Sequence, residues 1–151
     1  MSAARDERAP LLTTVGLLVE AQAGLAAATN RELAEAGRVC GQPFEILLRL
    51  VRTPDHRLRM SDLAAQTTLT ASGLTRAVDR LERDGLVRRA SCPEDRRVSY
   101  AELTPAGEAE IRAALEVHLA QLEELFAPYD EAQLAALEAA LRDLRDLVNP
   151  G

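Results

Sequence analysis

The run Leu-Thr-Ala-Ser-Gly-Leu-Thr-Arg at 69–76, continued by Val-Asp-Arg-Leu-Glu-Arg-Asp-Gly-Leu-Val-Arg-Arg at 78–89, decides the reading of the chain. Thr70 stands where an N-cap belongs, and the helix it opens is predicted over 71–84. Leu74, Val78 and Leu81 recur at i, i+4 and i+7 and give that helix one apolar face. Gly85 follows as a left-handed C-cap, and Leu86 is placed to pack back on the helix end. Immediately upstream, Ser61 reads as the N-cap of a short helix carrying Leu63 and Ala64, and Gln66-Thr67-Thr68 makes a polar turn. Downstream, 86–90 and 98–103 are short and extended in character. Between them lies Ser91-Cys92-Pro93-Glu94-Asp95-Arg96-Arg97, so a β-hairpin with a long charged tip is predicted. Two helices joined by a tight turn and followed by a hairpin form a winged helix-turn-helix, an arrangement that places a helix in a DNA major groove.

Outward from this centre the chain is helical. Residues 11–36 carry Leu11, Val15, Leu18, Val19, Leu25 and Ala26 at near-helical spacing, with Gly24 in the middle and Gly37 as the stop. Pro43 opens a second helix at its first turn, with Phe44, Leu47, Leu48 and Val51 as its face, and Thr53-Pro54-Asp55 ends it. Thr104-Pro105 starts a helix to about 127, striped by Ile111, Leu115, Leu119, Leu122, Leu125 and Phe126, until Pro128. Asp130 and Gln133 form a capping-box pattern before the last helix. There Leu134, Leu137, Leu141, Leu144 and Val148 alternate spacings of 3 and 4, a seven-residue seam. The fold class expected is mainly α with a small β-hairpin wing. A dimerising helix and second helix occupy 1–52, the winged lobe 53–103 and dimerising helices 104–151, all in one continuous domain.

The chain has 151 residues, 47% hydrophobic and 28% charged, enough for a core without disulfides or a metal. Charges interrupt the apolar runs, so no membrane-spanning helix is expected, and the start MSAARDERAP, with acids and no apolar core, does not read as a secretory signal. A cytoplasmic protein follows. The net charge of −6 argues against a nucleic-acid partner until its distribution is read. Residues 52–100 carry ten arginines against seven acids, whereas 101–151 carry three against eleven. The local patch decides what docks, and here it coincides with the winged helix.

The candidate site residues follow from that coincidence. Ser72, Gly73, Thr75, Arg76 and Arg80 lie on the outer face of the 71–84 helix. Its first turn offers free N–H groups and the positive dipole end, Gly73 permits close approach, and Arg76 reaches far enough for a base edge. Arg80, one turn on, suits a phosphate. A solvated face of Arg–acid pairs is the competing reading, and the caps and hairpin outweigh it. At the hairpin tip, Arg96 and Arg97 stand beside Glu94 and Asp95, and arginine suits a narrow minor groove. A neighbouring carboxylate could hold such a guanidinium in one rotamer. A salt-bridged surface loop explains that spacing equally well. The stripes on 11–26, 111–126 and 134–148 exceed what one small winged helix can cover, which favours a homodimer. Two copies about a two-fold axis would read a pseudo-palindrome of half-sites roughly 10 bp apart.

The stretches 69–76 and 78–89, Pro-Glu-Asp-Arg-Arg at 93–97 and Leu-Thr-Pro-Ala-Gly at 103–107 together resemble the MarR family of bacterial transcriptional regulators, and the helix order is similar across nearly the whole chain. The resemblance implies a homodimer built through the first and the last two helices. It implies a recognition helix in each major groove and a wing in the flanking minor groove. By position, Ser72, Thr75 and Arg76 match the family's recognition-helix contacts. Asp95 and Arg97 match its wing pair, with Arg96 a neighbouring phosphate contact. It also implies a small aromatic or phenolic effector in a crevice that Phe44, Leu47 and His118 would line, and a repressor relieved by that ligand.

Other classes leave weaker traces. Some relatives sense oxidants through a cysteine near the start of the first helix, where this chain has none. Cys40, followed by Gly-Gln-Pro, is the remaining redox candidate, and Cys92 sits in the wing. A winged helix turned protein-interaction module is the alternative to DNA binding. An enzyme is not expected: there is no paired His, no Gly-rich phosphate loop and no nucleophile beside a base. No metal site or cofactor is expected either.

Overall fold

A computed structural model describes residues 9–67 and 69–149. The N-terminal run read as lacking a leader and the last turn position, Thr68, fall outside the described residues. The elements are α1 (Ala9–Glu35), α2 (Gln42–Val51), β1 (Arg57–Arg59), α3 (Met60–Gln66), α4 (Ala71–Arg83), β2 (Val87–Ser91), β3 (Ser99–Leu103), α5 (Pro105–Phe126) and α6 (Glu131–Val148). The chain divides into two compact units, Met1–His118 and Leu119–Gly151, each treated by itself.

In the first unit α2 is the centre of the core. Phe44, Ile46, Leu47 and Leu50 are buried on it, and Leu33, Leu63, Leu74, Val78, Leu81, Val87, Ala101, Ile111 and Ala114 complete the cluster. The single face expected for α2 is therefore corrected. Ile46 and Leu50 are fully buried, whereas Leu48 and Val51 are only half-buried, because a helix enclosed on several sides hides more than one stripe. α1 ends at Gly37 as expected. Gly37 has φ 67°, its N–H bonds to Ala34 O, and Arg38 N–H reaches back to Leu33 O at 2.8 Å. Only the last third of α1 enters the core, through Thr29 and Leu33; Leu11, Val15 and Val19 on the expected stripe are exposed. Glu20 is the only charge between Pro10 and Asn30, and Pro10–Glu35 is long and apolar enough, by length and composition, to cross a membrane. The expectation that charges break every such run is corrected on that point.

The hairpin is part of a three-stranded antiparallel sheet of order β1-β3-β2. β1, not foreseen, pairs Arg57, Leu58 and Arg59 with Glu102, Ala101 and Tyr100. It is only three residues long, and it is entered from His56, a non-glycine residue at φ 50°. The turn is pinned by its own backbone, since Leu103 N–H donates to His56 O at 2.9 Å. The helix α3 starts two residues earlier than expected. Arg59 is its N-cap, and Ser61 lies inside the first turn with no capping bond.

One junction fastens the helix α4, the sheet and α5 together. Leu86 N–H bonds to Leu81 O at 2.9 Å and Gly85 N–H to Glu82 O at 3.0 Å, closing α4 with Gly85 at φ 73°. Thr104 then donates its hydroxyl to Gly85 O at 2.6 Å and its N–H to Leu86 O at 3.1 Å. The same hydroxyl accepts Gly107 N–H at 3.0 Å, so Thr104 also caps α5. Gly107 packs so closely that a Cβ there would stand 1.9 Å from Leu86 O.

In the second unit, Asp130 and Gln133 form the expected capping box, with reciprocal bonds of 2.8 and 3.0 Å. Leu134, Leu137, Leu141 and Leu144 of the seven-residue seam are 37–43% exposed, and Val148 is 64% exposed.

The glycines give a paired test. Gly107→Ala lowers the unfolding free energy by about 1–3 kcal/mol or more, since a backbone carbonyl must move. Gly24→Ala, mid-helix with nothing within 4 Å of the added carbon, raises it by roughly 0.5–1 kcal/mol. Urea denaturation of the two variants checks both signs.

Candidate nucleic-acid interface

The helix α4 starts as its sequence requires. Thr70 Oγ1 accepts Gly73 N–H at 3.1 Å, and Leu74, Ala77, Val78 and Leu81 are buried behind it. Ser72, Thr75, Arg76 and Arg80 are exposed on the opposite side, and Gly73 is half-buried. Two of these side chains are tethered to the helix itself. Thr75 Oγ1 donates to Ala71 O at 2.9 Å, and Arg76 Nε donates to Ser72 O at 3.4 Å. The tether steadies the Arg76 stem and leaves its two terminal nitrogens without a partner among the described residues. Beside them lies an open cavity of about 350 Å³, lined by Gln42, Pro43, Gly73, Arg76, Ala77 and Arg80.

The wing tip is held by its backbone. Cys92 N–H bonds to Val98 O and Val98 N–H to Asp95 O, each at 3.0 Å. Asp95 Oδ1 accepts Arg97 N–H at 2.9 Å, a carboxylate reaching two residues along the chain. Asp95 thus shapes the turn and is not bonded to a guanidinium, which corrects the suggested rotamer clamp. Arg96 and Arg97 are exposed, and among the described residues neither guanidinium has an ion-pair partner.

Sequence reasoning missed the link between wing and helix. Arg89 on β2 reaches α4 twice, with Nη2 2.6 Å from Asp79 Oδ1 and 3.3 Å from Thr75 O. Its N–H also donates to Glu82 Oε1 at 3.0 Å. Only the strand register, absent from a single sequence, puts Arg89 opposite that face. The outer face of the sheet was missed as well. Glu102 takes both Arg88, at 2.7 Å, and Arg57, at 3.5 Å, while Arg57 lies 4.6 Å over the Tyr100 ring.

The effector candidates separate. Phe44 and His118 meet edge to face at 5.5 Å and line a cavity of about 210 Å³ with Gln22, Leu25, Ala26 and Thr29. His118 Nδ1 is buried without a hydrogen-bond partner. Leu47 is fully buried in the core and is not among the lining residues. Cys40 and Cys92 are free thiols, both half-buried.

Residues 42–99 match the family model described as MarR family. Over 74% of this chain and 69% of its own length, the HTH-type transcriptional regulator PecS of Dickeya dadantii (strain 3937) is 31% identical. The chain belongs to the MarR family. The HTH-type transcriptional repressor YetL of Bacillus subtilis (strain 168) is 33% identical over 67% of this MarR-family chain, and the match spans 60% of YetL's length. Among solved structures, Sco3205, a MarR family transcriptional regulator from Streptomyces coelicolor in complex with DNA, superposes with a TM-score of 0.83 at 29% identity. That superposition covers 95% of this chain and 94% of Sco3205. The family match begins at α2 and stops at the start of β3, so it contains α4 and the whole wing tip.

The cap makes the first site prediction. Thr70→Ala lowers the unfolding free energy by about 1 kcal/mol, and Arg96→Ala, exposed and unpaired, changes it by less than about 0.5 kcal/mol. Urea midpoints of the two variants against the parent measure this.

Proposed function

We propose that the protein is a homodimeric transcriptional regulator that binds a pseudo-palindromic duplex, with α4 in the major groove and the wing in the adjacent minor groove. The observation that carries this reading is the exposed set Arg76, Arg80, Arg96 and Arg97. All four guanidiniums are free of carboxylate partners among the described residues, on a capped helix and a backbone-fixed turn. Family membership supports it. Ser72, Gly73, Thr75 and Arg76 meet the major groove, Arg80 and Arg96 the phosphates, and Arg97 the minor groove, with Asp95 shaping the turn that presents it.

Residues 1–52 and 104–151 serve dimerisation, and 53–103 form the DNA-binding lobe. The apolar rows left exposed on α1 and on α6 call for cover, and a second copy supplies it. The same cover accounts for the apolar character of α1 in a cytoplasmic protein. The effector is a small aromatic acid or phenol in the crevice lined by Phe44 and His118, where the orphaned Nδ1 offers a polar handle. It relieves repression by binding more tightly to a dimer whose recognition helices are out of register with the groove, since a ligand indifferent to the two states shifts nothing. The protein acts as a regulator and carries out no catalysis of its own.

Fluorescence anisotropy with DNA from upstream of its own gene tests the reading. Arg97→Ala and Arg76→Ala each weaken operator binding by about 1–3 kcal/mol, or roughly 5- to 150-fold. Light scattering gives a mass twice the 16.4 kDa of the chain. A parent protein with no salt-dependent affinity for any duplex would leave the protein-interaction module as the reading, and a monomeric mass would remove the palindrome.

A further inference from the structure

The three-stranded sheet has an outer face that the DNA-binding reading does not use. Strand alternation and register put Arg57 and Arg59 of β1, Tyr100 and Glu102 of β3, and Arg88 of β2 on that face, while Leu58 and Ala101 point to the core. Three arginines share that face with one carboxylate. Glu102 satisfies Arg57 and Arg88. Arg59 is left over: it is exposed, and among the described residues it has no ion-pair partner. Its Nε donates to Tyr100 Oη at 3.3 Å, and its guanidinium carbon lies 5.9 Å from the Tyr100 ring centre. Tyr100, through that bond and its charge, raises the Arg59 pKa above its already high value; desolvation opposes this, and Asp62 and Cys92 add to it.

We propose that Arg59, aimed by Tyr100, is a further contact to the phosphate backbone of duplex DNA, beside the groove entered by the wing. The inference rests on the DNA-binding reading above and extends its footprint along the duplex. Position supports it. The Arg59–Tyr100–Ala90 row is the rung next to Ser91–Ser99, where the hairpin loop begins. Tyr100 and Arg97 are three residues apart, so their backbones lie within about 10 Å of each other, or about three nucleotides of one strand along the helix axis. The geometry of the side chain supports it too. A guanidinium fixed through Nε keeps its two terminal nitrogens side by side, the fork that fits two phosphate oxygens, and loses less rotamer freedom on binding. An acidic protein segment would suit the same charge, but the continuity of this row with the wing favours DNA.

Anisotropy titrations of the full-length protein test it, using an operator duplex and an unrelated duplex of equal length. Arg59→Gln is expected to weaken both by the same factor, about 3- to 10-fold near 0.1 M salt. It should also lower the slope of log K against log salt by about one per subunit. Tyr100→Phe, which keeps the ring and loses the bond, gives a smaller loss in the same direction. Arg112→Gln on α5 serves as the control for removing one surface charge and leaves both quantities unchanged. Wild-type affinity and slope in Arg59→Gln overturn the proposal, as does a loss confined to the operator, which would mark a base contact. Circular dichroism confirms that the variants fold. If the parent itself binds neither duplex, the DNA-binding reading is what fails.

Discussion

Everything that aims the arginines depends on the contact between Gly107 and the carbonyl of Leu86. At that point the end of α4, the roots of β2 and β3 and the first turn of α5 come within one side chain's width. The approach is possible only because residue 107 has no Cβ. Thr104 completes the joint by donating to Gly85 and Leu86 and capping α5. None of these bonds is worth much alone, about 1 kcal/mol each, but several converging around the buried Gly107 specify one geometry. Arg89 adds a second tie further along, from β2 to Asp79 and Thr75. Helix and wing are therefore tied as one piece, which the proposed reading of two adjacent grooves requires.

The same frame sorts the charge. Ten arginines in the middle of the chain are more than its acids can use, and the fold decides which are left over. Arg57 and Arg88 go to Glu102, and Arg89 goes to Asp79. Arg52, Arg59, Arg76, Arg80, Arg83, Arg96 and Arg97 remain exposed without ion-pair partners among the described residues. All but Arg52, at the C-cap of α2, lie on β1, α4 and the wing loop. Most acids of the final third sit on α5 and α6, so a molecule of net charge −6 still carries a surplus of arginine on its winged-helix lobe.

Much of this was legible because it is local chemistry. Thr70 with Gly73, Gly85 with Leu86, and Asp130 with Gln133 are bonds between near neighbours, and cap and turn residues announce them. The side of α4 carrying Arg76 followed from one clean apolar stripe. The failures share a cause too. The α2 face was misread because burial there comes from several elements, and Ile46 lies off any single stripe. β1 was invisible because its partner is more than forty residues away and it is too short to show alternation. Ser61 looks like a cap, but the strand delivers Arg59 to the helix start first. Asp95 was assigned to a guanidinium when the nearer donor is the backbone of Arg97. Arg59 and Arg89 could only be found once register was known.

Residual dipolar couplings of backbone amides test most directly whether helix and wing form one rigid body. A single alignment tensor should fit α4, β2, β3 and residues 105–118 of α5 together, with the amides of Leu86, Thr104 and Gly107 among the fitted set. A separate tensor of smaller magnitude for β2 and β3 would contradict the account, because a wing that swings independently of α4 cannot present Arg97 at a fixed distance from Arg76.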